Sequence, residues 1–165
     1  MNNLLKLPPL SLYIHYPWCV KKCPYCDFNS HDSEIQDGYI SALLKDLDGD
    51  LKYVQQRTIN SIFIGGGTPS LMSIKDITHL FAGLKDRLEF SPNIEITLEA
   101  NPGTFEVDKF SEYRNIGINR LSIGVQSFND EQLKFLGRIH SGKEAQDAII
   151  KAQNVGFDNL NIDLM

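Results

Sequence analysis

Cysteine is scarce in these 165 residues: there are three, all between positions 19 and 26. An odd number of thiols so close together cannot form a disulfide framework, because one is always left over. Long apolar runs are missing too. No stretch approaches the roughly 18 residues that a membrane-spanning helix needs, so no transmembrane segment is expected. Residues Met1 to Pro9 are interrupted by proline too early to read as an export signal. Positive charge is in short supply, with 16 Lys and Arg against 21 Asp and Glu. Nothing here supplies the basic stripe of a nucleic-acid binder, and no nucleic-acid partner is expected. Neither Gly-Lys-Ser/Thr nor Gly-x-Gly-x-x-Gly occurs, which argues against a phosphate loop. Reduced, clustered thiols without an export signal point to the cytoplasm.

What is present starts with those thiols, in Cys19-Val-Lys-Lys-Cys23-Pro-Tyr-Cys26. One loop of this kind can cup a metal or an iron–sulfur cluster. Three ligands on a four-iron cube leave one iron open, and an open iron is where chemistry happens. Lys21 and Lys22 are either two solvated lysines or a small patch drawing an anionic substrate or a reducing partner to the cluster edge.

Along the chain, apolar periodicity switches repeatedly between strand and helix. Strands are expected at 12–16, 62–64 (an all-apolar run, buried on both faces), 94–99, 120–126 and 160–164. Helices are expected over 34–56, after Ser73, over 106–115, after Asn129 and after Ser141. Ser73 with Asp76 and Ser141 with Glu144 read as capping boxes. Strands alternating with helices give an α/β fold, a partial (β/α) barrel of parallel strands with right-handed crossovers. Five units do not complete an eight-fold barrel, and the fifth strand lacks its helix. Residues 1–165 therefore read as the N-terminal part of a longer domain, truncated after about the fifth strand. Its last strand forms an apolar edge prone to aggregation.

In such folds ligands gather at the carboxyl ends of the strands. There lie the cysteine loop, Gly65-Gly66-Gly67-Thr68, Glu99, Gln126 and Asp163. Three successive glycines suggest backbone brought against a ligand such as a small zwitterion. Glu99 can accept hydrogen bonds from hydroxyls or an ammonium, and Gln126 is a weaker, neutral candidate. A buried Asp163 needs a partner, for which Arg138 is available. The four histidines show no ligand spacing. A structural zinc site completed by His31 or His15, or a dithiol at Cys23-Pro-Tyr-Cys26, would each explain only part of the pattern.

Taken together, these motifs resemble the radical S-adenosylmethionine (SAM) superfamily. Tyr13 to Cys19, Cys26 to His31, Gly65 to Ser70, Glu99-Ala-Asn-Pro-Gly, Gly124 to Phe128, Leu136 to His140 and Asn161 to Met165 are similar, in colinear order, to its oxygen-independent coproporphyrinogen III oxidase-like branch. Within that branch they most resemble the HemW-type heme chaperones. The resemblance implies that Cys19, Cys23 and Cys26 hold a [4Fe-4S] cluster whose fourth iron is chelated by SAM. An electron from the cluster would then release a 5′-deoxyadenosyl radical. It implies SAM contacts from Tyr13, Tyr25, Gly66, Gly67, Thr68, Glu99, Gln126, Arg138 and Asp163. It also implies heme or porphyrin as ligand of the full-length protein, a cytosolic electron donor, and apo-hemoproteins as recipients of heme. The oxidases carry a fourth cysteine two places after the third, where this chain has Phe28, and a longer segment before the first strand. Both departures favour heme handling over porphyrinogen decarboxylation.

Overall fold

The computed structural model describes residues 7–165, with Thr104 and Phe105 described through their backbone. Five strands form one sheet: β1 (Leu10–Tyr16), β2 (Ile59–Gly66), β3 (Phe90–Ala100), β4 (Arg120–Gln126) and β5 (Asn159–Leu164). They lie in the order β1-β2-β3-β4-β5, and each is parallel to its neighbour. Adding parallel strands one after another in one direction puts successive crossovers on the same face, which is how a (β/α) barrel grows. The expected α/β fold, part of such a barrel, is what the chain forms.

The helices between the strands are α1 (Tyr39–Val54), α2 (Ile74–Lys85), α3 (Thr104–Val107), α4 (Phe110–Ile116), α5 (Asp130–Phe135) and α6 (Gly142–Asn154). Their apolar stripes meet the sheet through Ile40, Leu44, Ile77, Leu80, Phe81, Leu84, Phe110, Ala145, Ala148 and Ala152. Small alanines on α6 let that helix lie close to the sheet. The opposing strand residues are Ile14, Ile62, Ile64, Ile96, Leu98, Leu121, Ile123 and Val125, all buried.

The alternate positions face the other way and are different in kind. Register aligns Tyr13 with Phe63 and Phe63 with Thr97, then Glu99 with Ser122 and Ser122 with Asn161. One face of the sheet is thus packed with aliphatic side chains, while the other carries aromatic and polar ones, buried at Thr97 and Ser122 and opening towards Tyr13, Glu99, Asn161 and Asp163. For β2 this corrects the expectation of burial on both faces. Ile62 and Ile64 are buried, but Phe63 is half-buried and stacks on Tyr13 at 6.3 Å between ring centroids.

Other expectations change in detail. The first long helix starts at Tyr39 rather than 34, because Gly38 takes a left-handed turn (φ 80°). It ends before Gln55 and Gln56, which both have positive φ. The helix expected over 106–115 is two pieces, α3 and α4, separated by Asp108 and Lys109. The Ser141–Glu144 capping box is complete. At Ser73 the side chain accepts from the Asp76 amide, but the Asp76 carboxylate bonds the Ser73 hydroxyl (2.6 Å), so only half of a box is present. An aspartate is one methylene too short for the reciprocal reach of Glu or Gln. On β5, Ile162 and Leu164 are exposed at the sheet edge.

Candidate functional site

Pro17 ends β1, and the cysteine loop that follows is fastened at both ends by its backbone. Cys19 N–H donates to the His31 carbonyl (2.8 Å), and His31 N–H donates to that of Pro17 (2.7 Å). Lys22 is exposed, and its Nζ also straps the loop by donating to the carbonyls of Phe28 (3.1 Å) and Ser30 (3.2 Å). Cys26 N–H closes a tight turn on the Cys23 carbonyl at 3.0 Å. All three thiols are free and half-buried.

The glycine run is held against the same loop. Gly67 N–H donates to the Tyr16 carbonyl and Thr68 N–H to that of Trp18, both at 2.7 Å. The close approach explains the glycines without a ligand. A Cβ on Gly66 would lie 2.6 Å from the His15 ring, and one on Gly67 would lie 2.6 Å from the Trp18 carbonyl oxygen. Gly66 also has φ 119°, which side chains rarely adopt. His15 itself is fully engaged. Its Nε2 donates to the Asn29 carbonyl (2.8 Å), so Nδ1 is the acceptor for the Tyr13 hydroxyl (2.9 Å). Neither ring nitrogen is left for a metal, which removes His15 as a fourth zinc ligand.

Between the cysteine loop and the strand ends opens a cleft of about 150 Å³. Cys19, Cys23, Tyr25 and Cys26 line it from the loop, and Gly66, Gly67 and Thr68 from the end of β2. Glu99, Gln126, Arg138 and Asp163 line it from the ends of β3, β4 and β5 and from the turn after α5. Tyr13 is the exception among the candidates. It stands on β1 beside the cleft, 57% exposed, between Phe63 and His15.

Glu99 is half-buried and accepts a hydrogen bond from Gly66 N–H at 3.1 Å. Burial pushes its carboxyl above the usual range; the Gly66 amide opposes that, and the Asp163 charge adds to it. Tyr25 is raised by burial as well, with Arg138 pulling the other way. Gln126 has φ 65°, a strained value for a non-glycine residue, and its carbonyl accepts from Met165 N–H (2.9 Å).

Arg138 does not pair with Asp163. Its Nη2 donates to Asn101 Oδ1 (2.6 Å) and the Gly124 carbonyl (2.7 Å), and its Nη1 reaches Cys23 Sγ at 3.4 Å. Asp163 is exposed and is held instead by Asn161 Nδ2 (2.8 Å) and the Ser122 hydroxyl (3.3 Å). An exposed carboxylate keeps its hydration and needs no cation, which is why the expected pair is absent. Asn101 and Ser122 are among the lining residues that the sequence did not single out. Asn101 joins the site's two halves, since its Nδ2 donates to Thr68 Oγ1 (3.1 Å) while its Oδ1 takes Arg138. Its place in Asn-Pro-Gly reads only as a turn; its position two residues past Glu99 was the available signal.

A family model, the radical SAM superfamily, matches residues 13–165. The chain belongs to the radical SAM superfamily. Among curated relatives it is similar to the heme chaperone HemW of Escherichia coli, with 55% identity over 165 residues, 98% of this chain and 44% of that protein. It is 56% identical to the heme chaperone HemW of Haemophilus influenzae, over 97% of this chain and 44% of the relative. The chain therefore spans less than half the length of these relatives. Among solved structures it resembles coproporphyrinogen III oxidase (HemN) from Escherichia coli, a radical SAM enzyme, with TM-score 0.80 and 32% identity. That match covers 94% of this chain and 37% of the other.

Membership of the radical SAM superfamily implies a [4Fe-4S] cluster and SAM, and the residues present fit both. Three free thiols on one loop are the donor set a cluster takes, and they share a wall with the glycine run. Opposite them stand a carboxylate, an amide and a guanidinium whose Nε is buried without a partner. Among the described residues no helix is long and apolar enough to cross a membrane.

Proposed function

We propose that this chain is the N-terminal part of a HemW-type radical SAM heme chaperone working in the cytoplasm. The observation that carries the reading is one cleft walled by three free thiols on one side and by Glu99, Gln126, Arg138 and Asp163 on the other. In this reading Cys19, Cys23 and Cys26 hold the [4Fe-4S] cluster, and Tyr13 and Tyr25 flank SAM. Gly66, Gly67 and Thr68 offer backbone to its methionine end, and the polar strand-end groups hold the remainder. When bound, the cluster supplies one electron to SAM. The chain's own part is to fix the loop through Lys22 and His31, to present Glu99 as an acceptor, and to keep Arg138 against Cys23.

The similarity to HemW relatives at 55% identity supports heme as ligand and apo-hemoproteins as recipients, with a cytosolic electron donor reducing the cluster. Phe28, exposed in the cleft wall where the oxidases have a further cysteine, supports the same side. The second reading, porphyrinogen oxidation, is favoured by the resemblance to HemN. The test is anaerobic reconstitution of the full-length protein with iron and sulfide, followed by Mössbauer and electron paramagnetic resonance spectra with and without SAM. A four-iron signal perturbed by SAM is expected; its absence would sink both readings. Stable heme binding without porphyrinogen decarboxylation then selects the chaperone, and decarboxylation selects the oxidase.

A further inference from the structure

The segment that ends β2 and the segment that ends β3 are tied together at successive levels. Glu99 takes the Gly66 amide (3.1 Å), and Asn101 Nδ2 donates to the Thr68 hydroxyl (3.1 Å). Lys109, between α3 and α4, makes the next tie: its Nζ donates to the carbonyls of Ser70 (2.7 Å) and Met72 (3.0 Å). The first two ties lie in the cleft, which Gly66, Thr68, Glu99 and Asn101 all line. The Lys109 tie stands outside that lining.

The turn it holds explains why an ammonium is there. Residues Pro69–Leu71 form one short 3-10 turn, closed by Leu71 N–H on the Thr68 carbonyl (2.9 Å) and by Met72 N–H on that of Pro69 (3.0 Å). So short a turn cannot serve the carbonyls at its own end. Ser70 and Met72 are 0% and 2% exposed, and a buried carbonyl left unmade is costly. One lysine carries three donors and can meet both carbonyls, with charge-assisted bonds stronger than neutral ones. Tyr113, wholly buried on α4, adds its hydroxyl to the same Ser70 carbonyl (2.8 Å). The Ser70 hydroxyl is buried and makes no bond, so the turn is gripped by its backbone.

We infer that Lys109 is a positioning residue for the cleft: from outside it, the ammonium fixes the Gly66–Thr68 wall beside Glu99 and Asn101. A ligand entering the cleft competes for the Glu99 and Asn101 ties, because those side chains are what it meets. The Lys109 tie stays made, and the two walls do not part. The identity of the ligand rests on the reading proposed above, that the cleft takes SAM; the tie itself does not.

The test uses the full-length protein. Lys109→Met keeps most of the stem and removes the donors; Tyr113→Phe removes one donor from the Ser70 carbonyl. In the apo-protein, hydrogen exchange followed by mass spectrometry reads the peptide 65–73. Lys109→Met is expected to speed its exchange about tenfold, Tyr113→Phe by less and Ser70→Ala not at all, with the α6 peptides unchanged. After anaerobic reconstitution, Lys109→Met should keep the parent's iron content and SAM-free paramagnetic resonance spectrum, yet bind SAM about tenfold more weakly by calorimetry. Leu84→Ala, at a buried position of α2, controls for lost stability alone and should bind SAM like the parent. Unchanged exchange in Lys109→Met overturns the inference, and so does equal acceleration in α6, which would mean general loosening. Parent-like SAM affinity despite faster exchange overturns it as well, as does a matching loss in Leu84→Ala, since the tie would then be structural only. Should Lys109→Met not fold, an unchanged peptide 65–73 in Tyr113→Phe overturns it instead. If the parent binds no SAM, the reading of the cleft fails, while the exchange result still decides whether Lys109 fixes the wall.

Discussion

On the helix-facing side of the sheet Ile64, Leu98, Leu121 and Ile123 have no exposed surface, while on the opposite side Glu99, Asn161 and Asp163 are partly or largely exposed. The packed face consists of aliphatic side chains with no polar atom to satisfy. The open face is a hydrogen-bonded lattice in which Asn161 Nδ2 donates to Ser122 Oγ (2.9 Å) and Glu99 takes an amide from β2. Because strand side chains alternate, the same five strands supply both. The difference teaches that stability and chemistry are separated here by one residue of register: a one-residue slip would exchange them.

That separation breaks most plainly if the thiols turn out to be structural. Changing Cys19, Cys23 or Cys26 to Ser should abolish iron retention after reconstitution. The apo-protein's denaturation midpoint should barely move, because half-buried free thiols contribute within about 0.5 kcal/mol. Iron content and a urea titration on the full-length protein check both halves. Parent-like iron in any one variant would remove that cysteine from the ligand set.

On the packed face the expectation is reversed. Leu98 is wholly buried between β2 and β4, so Leu98→Ala should cost about 2–5 kcal/mol through lost burial and the cavity left behind. Chemical denaturation measures it. A loss below about 1 kcal/mol would mean that the face is less tightly packed than its burial indicates.

These two faces were unequally legible. Period-two alternation together with β-branched runs was enough to find all five strands, and strand-end placement was enough to find Glu99, Gln126 and Asp163, because both follow from local sequence. What local sequence does not carry is which neighbour a residue meets. Arg138 reaches Asn101 and Cys23 across 37 and 115 residues of chain, so its partner could not be read from spacing. The glycine run lines the cleft, but that it is also packed against the His15 ring and the Trp18 carbonyl could not be read, because those partners come from another strand and loop. Residues 34–38 looked helical because apolar periodicity alone sets no start, and Gly38 supplies one.

Gly66 sits where the two faces meet the cysteine loop, and Gly66→Ala tests how tightly they are joined. The new methyl would run into His15 at a φ of 119°, a combination expected to cost about 1–3 kcal/mol. Because His15 holds the Asn29 carbonyl, the variant should also lose iron more readily than Leu98→Ala at matched stability. Equal iron retention in the two would show that the loop does not depend on this contact.

The smallest effect concerns Glu99 and separates partial burial from full solvation of the open face. Burial, the largest influence, raises its carboxyl; the Gly66 amide lowers it, the Asp163 charge raises it, and His15 lowers it. A carboxyl whose folded pKa is raised binds its proton more tightly when folded. Its contribution to stability is full below the unfolded value, about 4.3, and is lost as pH rises through the folded value. Glu99→Gln keeps an acceptor for the Gly66 amide but has no proton to lose. Its stability relative to the parent should therefore improve steadily as pH is raised from about 4 to 7, followed by parallel denaturant titrations of the apo-proteins. A difference that stays flat with pH would mean that Glu99 is as hydrated when folded as when unfolded, and that the open face imposes no burial on the group best placed to meet a ligand.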